Sequence, residues 1–111
     1  MIDIERTQIG EVIVLAISGR MDAISAPILQ NTINEIIDNG NGRTMLLRLP
    51  EIDYLSAAGL RVLRNLKQAT GRVCIAEPSN RVREVLQITG LDTSYEVHET
   101  LTQALNKMRR S

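Results

Sequence analysis

A hydroxyl followed by three minimal side chains, Ser56-Ala57-Ala58-Gly59, lies between an apolar run and a helical pattern. Ser56 would cap the helix through its side-chain oxygen. A first turn so thinly clothed leaves backbone amides open to an anion or to another protein's surface. Glycine at the third helical position costs roughly 1 kcal/mol against alanine. Close approach by another molecule would explain why Gly59 is tolerated there.

The same hydroxyl admits a catalytic reading, with Ser56 as nucleophile, His98 as base and Asp22 or Asp53 as the orienting acid. Against it, the chain has no Gly-x-Ser-x-Gly elbow. His98 lies in the surface-like run Glu96-Val97-His98-Glu99, where a histidine is expected to be solvated. Neither Gly-x-x-x-x-Gly-Lys-Ser/Thr nor Gly-x-Gly-x-x-Gly is present, so no phosphate cradle is expected. Cys74 is the single cysteine and His98 the single histidine, which excludes a zinc cluster built on cysteines and histidines. Within Val73-Cys74-Ile75-Ala76 the cysteine reads as a small apolar side chain. These residues predict a protein without enzymatic activity, metal or cofactor, whose focal stretch is a docking surface or simply a capped helix.

The elements that hold this stretch follow from periodicity. Residues 2–8 and 11–18 read as two strands joined at Ile9-Gly10, a hairpin closed by Gly19-Arg20-Met21-Asp22. The almost wholly apolar Val12–Ile17 suits a strand covered on both faces. Ser25-Ala26-Pro27 predicts a helix start capped by Ser25. Ile28, Leu29, Thr32, Ile33, Ile36 and Ile37 follow on one face, and the stretch from Asn39 to Gly42 ends it. A third strand over 44–49 is expected to break at Pro50. The second helix carries Leu60, Leu63 and Leu66 and stops near Gly71. A strand over 72–76, a helix with Val82, Val85, Leu86 and Thr89, and a strand around 94–97 complete the alternation. A last helix opens with a Thr100/Gln103 capping box and turns Leu101, Leu105 and Met108 inward. Lys107, Arg109 and Arg110 fall in its final turn, complementing the helix dipole. Strands alternating with helices imply a mostly parallel mixed sheet, an N-terminal hairpin and about four helices. The expectation is one α/β domain over 1–111.

Composition narrows the partners. The 111 residues carry 13 Lys plus Arg and 13 Asp plus Glu, and Tyr54 and Tyr95 are the only aromatics. Balanced charge and missing stacking platforms argue against nucleic acid. The charged start and the absence of a long apolar run argue against a signal peptide or membrane span, and place the chain in the cytoplasm. If a hydroxyl at the focal helix were phosphorylated, about two negative charges would be added. The helix dipole would accept them, whereas a protein pressed against the same spot would have to desolvate a dianion. That is the physics of a reversible switch.

Gly19-Arg20-Met21-Asp22, the stretch from Ile52 to Leu60, and Ile88-Thr89-Gly90-Leu91 together resemble the STAS domain, and more narrowly the stand-alone bacterial anti-sigma factor antagonists. The resemblance covers nearly the whole chain. It implies partner switching: the antagonist binds an anti-sigma factor, commonly also a serine kinase, and so frees a sigma factor for transcription. Phosphorylation of a serine at the start of the second helix ends the complex, and a serine phosphatase reverses this. Aligned on Gly59-Leu60, the acceptor position holds Ala57. The alanine leaves three readings: a non-phosphorylatable member, a substitution that locks the active state, or Ser56 as substitute acceptor. The last is disfavoured, because consecutive Cα atoms are about 3.8 Å apart and a kinase site is demanding in geometry. The resemblance assigns partner contact to Asp22, Asp53, Ser56, Ala57, Ala58, Gly59 and Arg61, with the region 53–64 as docking face. For Asp22 the alternative is helix capping; for Arg61 and Arg64 it is a solvated face. A different class on the same fold is a subunit of a larger lipid-transport or stress-signalling assembly without a phospho-cycle.

Overall fold

Over residues 12–17, 45–49 and 73–76, odd-numbered side chains enter one core and even-numbered ones face the other side of the sheet, and this alternation organises the molecule. The computed structural model describes residues 2–40 and 44–109. The roles expected of Asn41, Gly42 and Arg110, and of the Arg109 side chain, lie outside the described residues.

The elements run β1 (Ile2–Ile9), β2 (Val12–Met21), α1 (Ala26–Asp38), β3 (Thr44–Leu55), α2 (Ala57–Ala69), β4 (Arg72–Ala76), α3 (Asn80–Thr89), a 3-10 turn (Leu91–Thr93), β5 (Glu96–His98) and α4 (Leu101–Arg109). They form one five-stranded sheet in the order β1-β2-β3-β4-β5. The β1–β2 hairpin is antiparallel and the other pairings are parallel. Ile13, Leu15 and Ile17 of β2 join Met45, Leu47 and Leu49 of β3 and Val73 and Ile75 of β4 in the larger core, under α1, α2 and α3. Val12, Val14, Leu46, Cys74 and Ala76 face the other way, where Ala104 and Met108 of α4 cover them. Among the described residues no helix is long and apolar enough to cross a membrane.

Several expectations are corrected. β2 continues through Gly19 to Met21, so the motif expected to close the hairpin is mostly strand. β3 does not stop at Pro50 but runs twelve residues to Leu55. Pairing with β4 ends at Arg48, and the ladder to β2 shifts register between Ala16 and Ser18. A residue without an N–H is tolerated at such an irregularity. The expected loop before Ser56 is therefore a strand end, with Gly19 opposite Ile52 and Arg20 opposite Tyr54; a second shift leaves Asp53 unmatched.

Ile28, assigned to the buried stripe of α1, is exposed, while Leu29, Ile33 and Ile36 are buried. Thr89 is exposed at the end of α3. Ser25 does not cap α1 with its side chain. The carboxylate of Asp22 does that work from three residues earlier, accepting the amides of Ile24 at 3.0 Å and Ser25 at 2.8 Å. Gly40, at φ +80°, closes the helix by donating to the Ile37 carbonyl. Thr100 caps α4 by accepting the Gln103 amide at 3.1 Å.

Candidate functional site

The end of β3 delivers the chain into α2 beside the end of β2. The Ser56 amide donates to the Met21 carbonyl at 2.9 Å, which pins the helix start to the sheet. Ser56 has extended backbone and its hydroxyl oxygen accepts the Gly59 amide at 3.2 Å, an N-cap as expected. The amides of Ala57 and Ala58 have no acceptor within the helix. Ala57 is exposed, and Ala58 and Ser56 are half-buried. The helix end is open to solvent rather than roofed by neighbouring loops.

Gly59 is a correction. It is buried, and a Cβ there would come within 2.3 Å of Met21 Cγ and 2.9 Å of Leu55 Cδ1. The close approach that requires glycine is made by the protein's own sheet, not by a visiting molecule. Gly59 thus presents no surface to a partner; it lets α2 sit tightly on β2 and β3.

Asp22 lies next to this corner, immediately after Met21. The backbone amides of Ser25 and Ile24 hold its carboxyl below the usual carboxylate range. Arg20 reaches both ways: its Nε is 3.8 Å from Asp22, and its guanidinium lies 4.1 Å from the centre of the Tyr54 ring. Asp53, near the end of β3, and Arg61, in α2, are exposed, and Arg64 is exposed one turn further on. The site therefore brings Asp22, Ser56, Ala57, Ala58 and Arg61 to one corner, while Asp53 is exposed on the strand that leads into it.

Sequence reasoning missed three contributors. Ile24 is 80% exposed, Ile28 49% and Tyr54 38%, so apolar surface borders the polar corner. A shallow groove of about 300 Å³ runs between the starts of α1 and α2, lined by Ala23, Ala26, Pro27, Ala58 and Arg61 among others. The signal for Ile24 was present: an isoleucine two residues after the capping aspartate, outside any periodic face. Ile28 was hidden by a helical stripe drawn one residue too wide.

The catalytic constellation does not assemble. His98 is opposite Ala76 in the β4–β5 ladder and so shares the α4-covered face, whereas α2 and its Ser56 cap lie on the other face. His98 is also not the solvated side chain expected: it is half-buried, and its Nε2 is enclosed without a hydrogen-bond partner. Cys74 is buried as expected, and burial with a contact to Glu96 pushes its thiol up to about 12. Hydrogen bonds from Arg72 hold the Glu96 carboxyl below its ordinary range.

Against known proteins, the family model described as the STAS domain matches residues 3–104. The anti-sigma-F factor antagonist RsfB of Mycobacterium tuberculosis is 27% identical over 101 residues, covering 88% of this chain and 82% of its own. The crystal structure of an anti-sigma factor antagonist from Mycobacterium paratuberculosis superposes with a TM-score of 0.89 at 23% identity, covering 98% of this chain and 95% of that one. The anti-sigma factor antagonist SpoIIAA in its unphosphorylated form superposes at 0.81 with 20% identity, over 98% of both chains. The phosphorylated form of SpoIIAA, from Bacillus, superposes at 0.77.

Proposed function

The chain belongs to the STAS domain family, and from that premise we propose that it is an anti-sigma factor antagonist acting in the bacterial cytoplasm. It binds an anti-sigma factor, of the kind that is also a serine kinase, through the corner where β2 and β3 meet α2. The carrying observation is that Ala57 is exposed at the start of α2, with two small residues and a single hydroxyl around amides that lack intrahelical acceptors. Asp22, Asp53 and Arg61 supply charge at its rim; Ile24, Ile28 and Tyr54 supply apolar area. The chain works by being bound, not by catalysis.

Ala57 stands where the family's acceptor serine stands, so the protein remains competent to dock when a kinase is active. A phosphatase then acts on its phosphorylatable relatives rather than on this chain. Ser56 is a poor substitute, because its oxygen already caps the helix. The test is intact-mass spectrometry after incubation with a candidate anti-sigma factor kinase and ATP. The chain as given should stay unmodified, and Ala57→Ser should gain one phosphate. Modification of the unaltered chain would overturn the assignment of position 57. The larger-assembly alternative predicts no complex with any such kinase.

A further inference from the structure

On the face of the sheet opposite the docking helix, β5 lies at the edge with Glu96 directly across from Cys74 and His98 across from Ala76. Paired residues and residues two apart share a face. The short strand therefore places a carboxylate and an imidazole on the side where Cys74 presents its thiol. Donor atoms of Cys74, Glu96 and His98 all lie within 4.8 Å of one another. The thiol already contacts Glu96 Oε2 at 3.4 Å. His98 Nε2 is the unexplained group: a buried nitrogen with nothing to bond, which is costly unless something else uses it.

We propose that Cys74, Glu96 and His98 form a binding site for a thiophilic divalent cation, zinc in the first instance, with water in the fourth position. One sulfur, one imidazole and one carboxylate plus water is a zinc donor set, and soft thiolate selects against magnesium and calcium. Zinc–donor lengths of about 2.0–2.3 Å put tetrahedral ligands roughly 3.3–3.8 Å apart. The Cys74–Glu96 pair is already at that spacing, and rotation of His98 on its edge strand closes the rest. Arg72 holds Glu96 through Nε at 2.9 Å and a second guanidinium nitrogen at 3.1 Å. Each carboxylate oxygen has a second lone pair, so this clamp orients Glu96 without consuming its ligating capacity. Binding releases the thiol proton to solvent; the thiolate and carboxylate offset the dication, and the Arg72 guanidinium beside Glu96 leaves the site with one net positive charge. The bound ion would fasten a three-residue edge strand to its neighbour.

The experiment titrates the full reduced chain with Co²⁺ alone, then displaces it with Zn²⁺. One equivalent of cobalt should give tetrahedral visible bands and a thiolate-to-cobalt charge-transfer band, both removed by zinc. His98→Ala should weaken binding at least about tenfold, the scale on which even outer ligands matter. Cys74→Ser should abolish the charge-transfer band. Zinc should also raise the melting temperature of the parent and not of His98→Ala. No charge-transfer band in the parent, or equal affinity in His98→Ala, would overturn the site. Should Cys74→Ser fail to fold, His98→Ala decides alone, because it removes a half-buried side chain from an edge strand.

Discussion

α2 and α3 begin alike and end up doing different things. Each follows a strand end, each is capped by a serine, and each cap accepts the amide three residues on: Gly59 from Ser56 at 3.2 Å, and Val82 from Ser79 at 3.1 Å. The residue at that third position separates them. Val82 buries a full side chain in the core. Gly59 buries only its backbone against Met21 and Leu55, so the start of α2 is drawn onto the sheet. The caps differ too. The Ser79 hydroxyl also donates to the Ile52 carbonyl at 2.6 Å, and its amide to the Leu49 carbonyl at 2.8 Å, tying this cap to β3. α3 then continues with Asn80 and Arg81, α2 with two alanines. A shared capping device thus serves folding at α3, while at α2 it is combined with a bare, exposed first turn suited to docking.

Exchanging the third positions should break this contrast most severely. Gly59→Val forces a Cβ into Met21 and should cost about 3 kcal/mol in urea unfolding, the upper range for overpacking. Val82→Gly leaves a void and a flexible residue, and should cost a similar amount. A stable Gly59→Val would show that α2 need not touch the sheet closely. The caps come next. Ser56→Ala should cost about 1 kcal/mol, the ordinary loss of an N-cap. Ser79→Ala should cost more, about 2–3 kcal/mol, because the Ile52 carbonyl is stranded as well. Equal losses would erase the distinction between the two serines.

A smaller effect is read out by pH. The Asp22 carboxyl is lowered by the Ser25 and Ile24 amides, and the Glu96 carboxyl by Arg72. A lowered carboxyl contributes stability that is present above its unfolded value and lost as pH falls through the folded one. Stability should therefore fall as the pH drops below about 4, where free carboxylates protonate. The difference between the parent and Asp22→Asn should shrink over the same window in denaturant titrations. A constant difference would mean that the Asp22 charge plays no part in holding the start of α1.

Much of this fold is written in periodicity. The two apolar faces of β2, the stripe of α2 and the glycines after α1 and α3 are each local signals with a physical cause. What escaped depended on contacts between distant residues. Pro50 reads as a break until the register shift beside it removes the need for its N–H. Ser25 looks like a cap until Asp22, held at the end of β2, takes that role. Gly59 looks like room for a partner because the chain gives no hint that Met21 fills the space. His98 reads as solvated among glutamates, and only the strand pairing turns it towards Cys74. Of the proposed docking corner, Ser56 to Ala58 and Asp22 were legible, whereas Ile24, Ile28 and the Arg20–Tyr54 contact came from the folded arrangement.

The central claim, that the first turn of α2 is where an anti-sigma factor sits, is tested most directly by a paired substitution. The dissociation constant for the anti-sigma factor is measured by calorimetry for the parent, Ala57→Glu and Asn80→Glu. Both positions are exposed first residues of capped helices, so both variants should stay within about 0.5 kcal/mol of the parent in stability. Ala57→Glu should bind at least about tenfold more weakly, or 1.4 kcal/mol, and Asn80→Glu should bind like the parent. Undiminished binding by Ala57→Glu would contradict the account.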